Sequence, residues 1–336
     1  MTTNSLDIDH MAARASQSAA HHMPGTGMTG LQPIQRGASS HTFRATLTGA
    51  EHHGRRLVLK VATPGIPPTG HRDVLRQAAI QRHLTGVAGI EVPAVLFTGE
   101  AESLDRPPFF AMAHVPGDCL EPIMDDVEVL PAASEIEARA RHAARMLAAV
   151  HAGPVPQTPG TASVSLRDEV EKWAKSLATV GAEIQVPARR TRDALLANLP
   201  RSVPHTVIHG DFRLGNTLCT DGAVRAVIDW EIWAVSDPRI DLLWFASFTH
   251  PDRMPTALRT APGMPDAEEL LAEYRSAGGS EFTELGWFDA LVRFKHAAVT
   301  ALITKHNRRR PSPDPALEAA GKSVPGSLAA ALALLS

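Results

Sequence analysis

The chain has 336 residues, 44% of them hydrophobic and 21% charged, with a net charge of −3. That is enough apolar material for two ordinary domains or one bilobal enzyme, and too much for a chain disordered by composition. The near-neutral balance lacks the strongly basic face of a nucleic-acid binder, so no nucleic-acid partner is expected. The two cysteines, Cys119 and Cys219, stand a hundred residues apart without a CxxC, which argues against a zinc site or a disulfide framework and for a reducing, cytoplasmic compartment. No segment approaches the roughly 20 apolar residues that cross a bilayer, so no membrane partner is expected. Oligomeric state is not readable.

Residues 1–30 are rich in Ala, Ser, Thr, Met, Gly and His without a sustained period and read as a flexible leader. From Ile34 to Leu47 the pattern is strand, small-residue turn, strand. Leu57-Val-Leu-Lys60-Val61 follows as a short apolar strand carrying one lysine. A proline- and glycine-rich loop leads to a helix over Val74–Leu84. Val92–Phe97 and Phe109–Val115 read as two more strands, the second ended by Pro116-Gly117. Residues 31–117 therefore form a small β-rich unit with one helix. Residues 118–336 are mainly helical. Ser134-Glu-Ile-Glu137 carries a capping-box signature ahead of apolar residues at Ile136, Ala140, Ala143, Leu147 and Val150. A second helix is expected over about Leu166–Val180, short strands at Thr206–Ile208 and Ala223–Ile228, and a long late helix over about Trp287–His306.

The informative stretch is Val207-Ile-His209-Gly-Asp211-Phe-Arg213-Leu-Gly-Asn216, followed by Val227-Ile-Asp229-Trp-Glu231. His209-x-Asp211 follows a short apolar strand, Asn216 lies five residues after Asp211, and Asp229 lies thirteen after Asn216. Phosphoryl transfer needs a group that orients and deprotonates a hydroxyl, and rigid oxygen ligands for magnesium near the phosphates. A carboxylate, an amide oxygen and a second carboxylate supply these parts. The spacing matches the kinase catalytic loop H-R-D-x-x-x-x-N with Gly210 in place of the arginine. A lone HGD is a common turn in which Asp caps backbone amides; the joint order, spacing and apolar flanks favour the catalytic reading.

His209-Gly-Asp-Phe-Arg-Leu-Gly-Asn216 and Val227-Ile-Asp-Trp-Glu-Ile232, with Ser236-Asp-Pro-Arg-Ile-Asp-Leu242, resemble the signature of the aminoglycoside phosphotransferases, closest to the branch that also occurs joined to acyl-CoA dehydrogenases. The resemblance implies an α+β, bilobal, protein-kinase-like fold: residues 31–117 as a nucleotide-covering N-lobe, residues 118–336 as a C-lobe with the catalytic loop, metal site and acceptor site. It implies ATP as donor, Mg2+ as metal and a small-molecule hydroxyl as acceptor. Asp211 matches the catalytic base, and Asn216 and Asp229 match the metal ligands. Lys60 matches the strand lysine that holds the α- and β-phosphates. Gly37, Ser39 and Ser40 match the phosphate-covering loop. Ala113 and Val115 match linker positions whose backbone would bond adenine. Arg213 lies inside the loop, where it would steady phosphate or Asp211, or form a structural ion pair. Asp241 would support the loop from behind.

One departure separates two readings. Relatives carry a helix glutamate to pair with the strand lysine; here that position is Gln77, with Asp73 one turn earlier as a substitute. The first reading is an ATP- and magnesium-dependent kinase of an amino-sugar, a hydroxylated metabolite or a hydroxyacyl-CoA. The alternative is a nucleotide-binding pseudokinase that senses a ligand or binds a partner. A metal-dependent hydrolase built on His209 and Asp211 would need further ligands at short spacing, and none is evident. The acidic residues between Asp266 and Asp289 would suit an amino-sugar or a solvated helical face. Lys305, Arg308, Arg309 and Arg310 would suit a phosphate-bearing acceptor or the end of a helix.

Overall fold

The computed structural model describes residues 6–34, 40–49, 51–157 and 163–336. It divides into two compact units. One takes the chain up to Asp118 together with Leu218–Thr220 and Arg225–Trp233; the other takes Cys119–Thr217, Asp221–Val224 and Ala234–Ser336.

The first unit is built on an antiparallel sheet. Among the described residues its strands are β1 (Gly27–Pro33), β2 (Ser40–Thr48), β3 (Arg56–Ala62), β4 (Val95–Gly99) and β5 (Phe109–Ala113), in the order β1-β2-β3-β5-β4. Strand β3 is apolar on both faces because both are covered. Leu57, Leu59 and Val61 share a core with Phe43, Ala45 and Leu47 of β2 and with Met11, Ala15 and Ala19 of helix α1 (Ile8–His22). On the other face Ala62, Phe110 and Met112 meet Val74 and Ala78 of helix α2 (Val74–Leu84).

The expectation of a flexible leader over residues 1–30 is therefore corrected: residues 8–22 and 27–33 hold α1 and β1. Alanines at a spacing of four let α1 lie close to the sheet, and the guanidinium of the buried Arg14 bonds Glu102 at 2.7 Å and the carbonyls of Pro107 and Glu100 at 3.0 and 2.8 Å.

The second unit is mainly helical. Its early helices are α3 (Ala133–Ala152), α4 (Leu166–Leu177) and α5 (Ala182–Ala197). Helix α3 starts one residue before the expected capping box, with Ala132 at its cap and no side-chain bond there. Capping boxes close instead at Ser165/Asp168 of α4 and at Asp266/Glu269 of α7 (Ala267–Ser276). Strand β6 (Thr206–Ile208) leads into the loop of interest; β7 (Thr217–Thr220) and β8 (Ala223–Val227), most of whose residues belong to the first unit, follow in the chain, and β9 (Ala234–Ser236) returns to pair antiparallel with β6. Helices α6 (Arg239–Ser247), α8 (Leu285–Asn307), α9 (Pro315–Gly321) and α10 (Val324–Ala333) complete the unit. Among the described residues no helix is long and apolar enough to cross a membrane.

Candidate active site

In the second unit, β6 is three residues long and delivers His209-Gly210-Asp211 from a buried strand end. Gly210 adopts φ +84°, a conformation that favours glycine and accounts for its presence where the kinase pattern has arginine. The fully buried Asp241 of α6 backs this turn, accepting from the His209 amide at 2.5 Å and the Gly210 amide at 2.8 Å. Burial alone would raise the Asp241 carboxyl, but the His151 ring nitrogen 3.6 Å away and the His209 amide outweigh it and hold the group below the usual carboxylate range.

With the loop fixed, the Asp211 carboxylate is gripped from three sides. The Trp244 indole N–H donates to Oδ1 at 2.7 Å, the Asn216 amide donates to Oδ2 at 2.9 Å, and the Arg213 Nε lies 3.5 Å from Oδ2. The Asn216 amide also donates to the Asp211 carbonyl at 2.8 Å. Asn216 thus makes its bonds through nitrogen, which leaves the amide oxygen for a cation. The Asp211 side chain stays 28% exposed, enough for a ligand to reach it. Of the alternatives open for Arg213, the geometry realises an ion pair with Asp211. Its Nη1 also lies 3.8 Å from Glu121, and a Cβ on Gly215 would stand 2.0 Å from that nitrogen, so a larger residue there would displace the guanidinium.

Two buried groups beside the loop escaped the reading of the sequence. Glu121 is fully buried and accepts from the Gly215 amide at 3.0 Å, while its Oε1 has no partner. Burial pushes its carboxyl up to about 8 despite the Arg213 guanidinium. Lys295 of α8 donates to the Gly210 carbonyl, and burial pushes its ammonium down to about 8. Neither carries a local signal, because each reaches the loop from 85 or more residues away.

In the first unit Lys60, on β3, donates to Asp229 Oδ1 at 2.6 Å and to Gln77 Oε1 at 3.0 Å. The acid that pairs with Lys60 is thus Asp229. Asp73, proposed as the substitute, caps α2 by accepting from the Leu75 and Arg76 amides. Gln77 is buried and its Nε2 has no partner. Asp229 sits at φ +66°, a left-handed conformation that a non-glycine residue holds only where its surroundings over-determine it. One such constraint is local: the Arg76 guanidinium lies 4.1 Å from the Trp233 ring centroid and donates to the Trp233 carbonyl at 2.6 Å. Ser40 opens β2 opposite Ala62. The Ala113 amide is committed to the Ala94 carbonyl at 2.8 Å, and Val115 follows in the chain beyond β5. Gly37 and Ser39 lie outside the described residues.

Taken separately, the Asn216 amide oxygen of the second unit and the Asp229 carboxylate of the first are each hard oxygens, of the kind that suits magnesium better than a softer metal. Among the described residues no group of three His, Cys, Asp or Glu side chains forms a cation cage.

The acidic stretch is largely neutralised from within. Glu269 and Glu273 pair with Arg141 of α3, Glu273 also with Arg145, and Asp289 lies 3.5 Å from both Arg253 and Arg293. In the basic cluster, Arg308 pairs with Glu318 at 2.9 Å.

Comparison with known proteins places the chain in a family. The model of the phosphotransferase enzyme family matches residues 30–288. The chain is 27% identical over 299 residues to mouse acyl-CoA dehydrogenase family member 10, a match that covers 84% of this chain and 27% of that protein. It is 28% identical over 219 residues to viomycin phosphotransferase of Streptomyces vinaceus, covering 62% of this chain and 67% of that one. The chain thus spans about a third or less of the acyl-CoA dehydrogenase family members it matches. Among solved structures, a candidate aminoglycoside phosphotransferase of Ralstonia eutropha superposes with a TM-score of 0.74 at 19% identity, covering 98% of each chain. A thermostable mutant of the aminoglycoside phosphotransferase APH(4)-Ia, in ternary complex with ADP and hygromycin B, gives 0.64 at 15% identity over 98% of this chain and 99% of that one. The fold is the kinase-like α+β fold of these enzymes, with a small antiparallel-sheet unit and a larger helical one.

Proposed function

The chain belongs to the phosphotransferase enzyme family, and on that premise we propose that it moves the γ-phosphate of ATP, with magnesium, to a hydroxyl of a small molecule. The observation that carries the proposal is the Asp211 carboxylate, held by Trp244, Asn216 and Arg213 on a loop fixed by Asp241. A base that deprotonates a hydroxyl must be aimed before the hydroxyl arrives, and three donors on one partly exposed carboxylate do that. Asp211 orients the acceptor and takes its proton. Asn216 and Asp229 would be ligands of magnesium, which when bound would supply charge neutralisation at the phosphates. Lys60 holds the donor's phosphates, and Ser40 and the linker residues Ala113 and Val115 lie along the expected nucleotide path. Arg213 steadies Asp211. The acceptor is read as a hydroxylated small molecule, with amino-sugars, hydroxylated metabolites and hydroxyacyl-CoA esters as the classes to try, and the similarity to viomycin phosphotransferase supports that reading. The internal pairing of Glu269 and Glu273 weakens the case for an amino-sugar at that face.

The test is a 31P NMR screen of ATP, magnesium and acceptors from each class. A new phosphomonoester resonance, formed with ADP and lost in Asp211→Asn, supports the proposal. Inorganic phosphate alone would point to a hydrolase. Gln77 favours a second reading, a nucleotide-binding module without turnover, because among the described residues Lys60 pairs with no carboxylate besides the residue assigned to the metal. That reading requires nucleotide binding with no product in any acceptor class.

A further inference from the structure

Behind Asp211 the phosphoryl-transfer scheme uses the Trp244 N–H alone and gives no task to the side chains packed on its ring. Trp244, 4% exposed, donates its indole N–H to Asp211 Oδ1 at 2.7 Å. Its ring is packed against two consecutive residues of α8. The Lys295 Nζ lies 3.6 Å from the ring centroid, and the His296 imidazole stacks on it at 4.3 Å and 23°. Phe248 closes the edge at 5.4 Å, and His296 is anchored to the Ser247 hydroxyl at 3.0 Å. Lys295 is 3% exposed and donates to the carbonyl of Gly210, the residue immediately before Asp211.

A buried ammonium is costly unless it is compensated. Among the described residues Lys295 has no carboxylate within ion-pair distance; its compensation is one carbonyl and the faces of Trp244 and Trp173, the latter at 5.5 Å. That arrangement has a direction. The same ammonium holds the backbone before Asp211 and lies on the ring whose N–H holds the Asp211 carboxylate. A cation on an indole face draws electron density from the ring and makes its N–H a better donor, while stacking by His296 fixes the plane in which that N–H points. Ordinary core packing would be served equally well by Phe and Leu, with no polar atom to bury.

We propose that Trp244 is a positioning residue for the Asp211 base, and that Lys295 locks the indole and the catalytic turn together. This rests on the reading of Asp211 as the base. The lock acts on the carboxylate that meets the acceptor, and leaves the nucleotide's own contacts untouched.

The experiment has two arms. Trp244→Phe keeps the ring and removes the N–H. Turnover of ATP should fall about tenfold, the scale of one hydrogen bond to a charged group, while KM for ATP stays within about twofold. In 1H–15N spectra of the full chain, the five tryptophans give five indole signals, and the one missing in Trp244→Phe is identified. It should resonate downfield and exchange slowly in the wild type, and move upfield in Asp211→Ala. An unmoved signal in Asp211→Ala overturns the proposal, as does Trp244→Phe with unchanged turnover or with kcat and KM altered in step. Absence of ATP turnover in the wild type sinks the phosphotransferase reading, and the proposal with it; turnover with an unmoved indole signal sinks the proposal alone.

Discussion

Asp211 is defined by its donors, and replacing it separates chemistry from donor binding. Asp211→Asn keeps the size and one of the two accepted hydrogen bonds but cannot take a proton. Turnover should fall by about 10²–10⁴ while ATP affinity is largely preserved, which a comparison of steady-state rates with nucleotide titration checks. Gln77 poses a different question. Lys60 leans on Asp229 at 2.6 Å, yet Asp229 is also the proposed magnesium ligand. A carboxylate at position 77 would share Lys60 and release Asp229 to the metal, so Gln77→Glu should tighten Mg-ATP binding by about threefold to tenfold; unchanged affinity would mean that the two duties of Asp229 do not compete. Glu121 gives a pH signature. Burial holds its carboxyl at about 8, so the native chain keeps a proton that the unfolded chain loses near the ordinary glutamate value. The native state then binds more protons between about pH 5 and 8, and stability falls as pH rises through that window. Thermal melts should show this decline in the wild type and a flatter profile in Glu121→Gln. The proximity of Asp211 and Asn216 was legible because they sit five apart in one loop after an apolar strand. Trp244, Lys295 and Glu121 were not, because their meaning lies in contacts 33, 85 and 94 residues distant in sequence.

At the scale of elements, legibility followed periodicity. Helix α3 and the late helix α8 show apolar stripes and were read close to their true limits. Helix α1 was not, because its buried face is made of small residues, Ala15 and Ala19 with Met11, and alanine reads as apolar or neutral according to context. The clue lay elsewhere: β3 reads Leu-Val-Leu-Lys-Val, apolar at successive positions, which implies cover on both faces of the sheet. One helix, α2, could serve only one of them. Helix α5 was hidden by Pro187 inside it, a residue that ends most helical patterns; here it lies in the second turn. The buried role of α1 has a consequence for stability. Met11 is 1% exposed in the core with Leu57 and Leu59. Met11→Ala should cost about 2–5 kcal/mol, measured by denaturant unfolding. A value near zero would show that α1 contributes nothing to the sheet it covers.

For the molecule as a whole, a net charge of −3 conceals strong internal pairing. Arg141 and Arg145 of α3 take up Glu269 and Glu273 of α7, so this part of the acidic run conspicuous in the sequence is a seam between helices. Composition could announce the charges but not their partners. The same limit applies to the acceptor, whose chemistry depends on which groups remain unpaired after folding. The donor side is closer to a direct test, since Lys60, Asn216 and Asp229 are all assigned to nucleotide and metal. Titration calorimetry of ATP into the full chain, with and without magnesium, addresses the central claim. The account expects saturable binding that strengthens with magnesium and loses that magnesium dependence in Asp229→Ala. Absence of binding at millimolar ATP with magnesium present would contradict it, for the transferase and the non-catalytic reading alike.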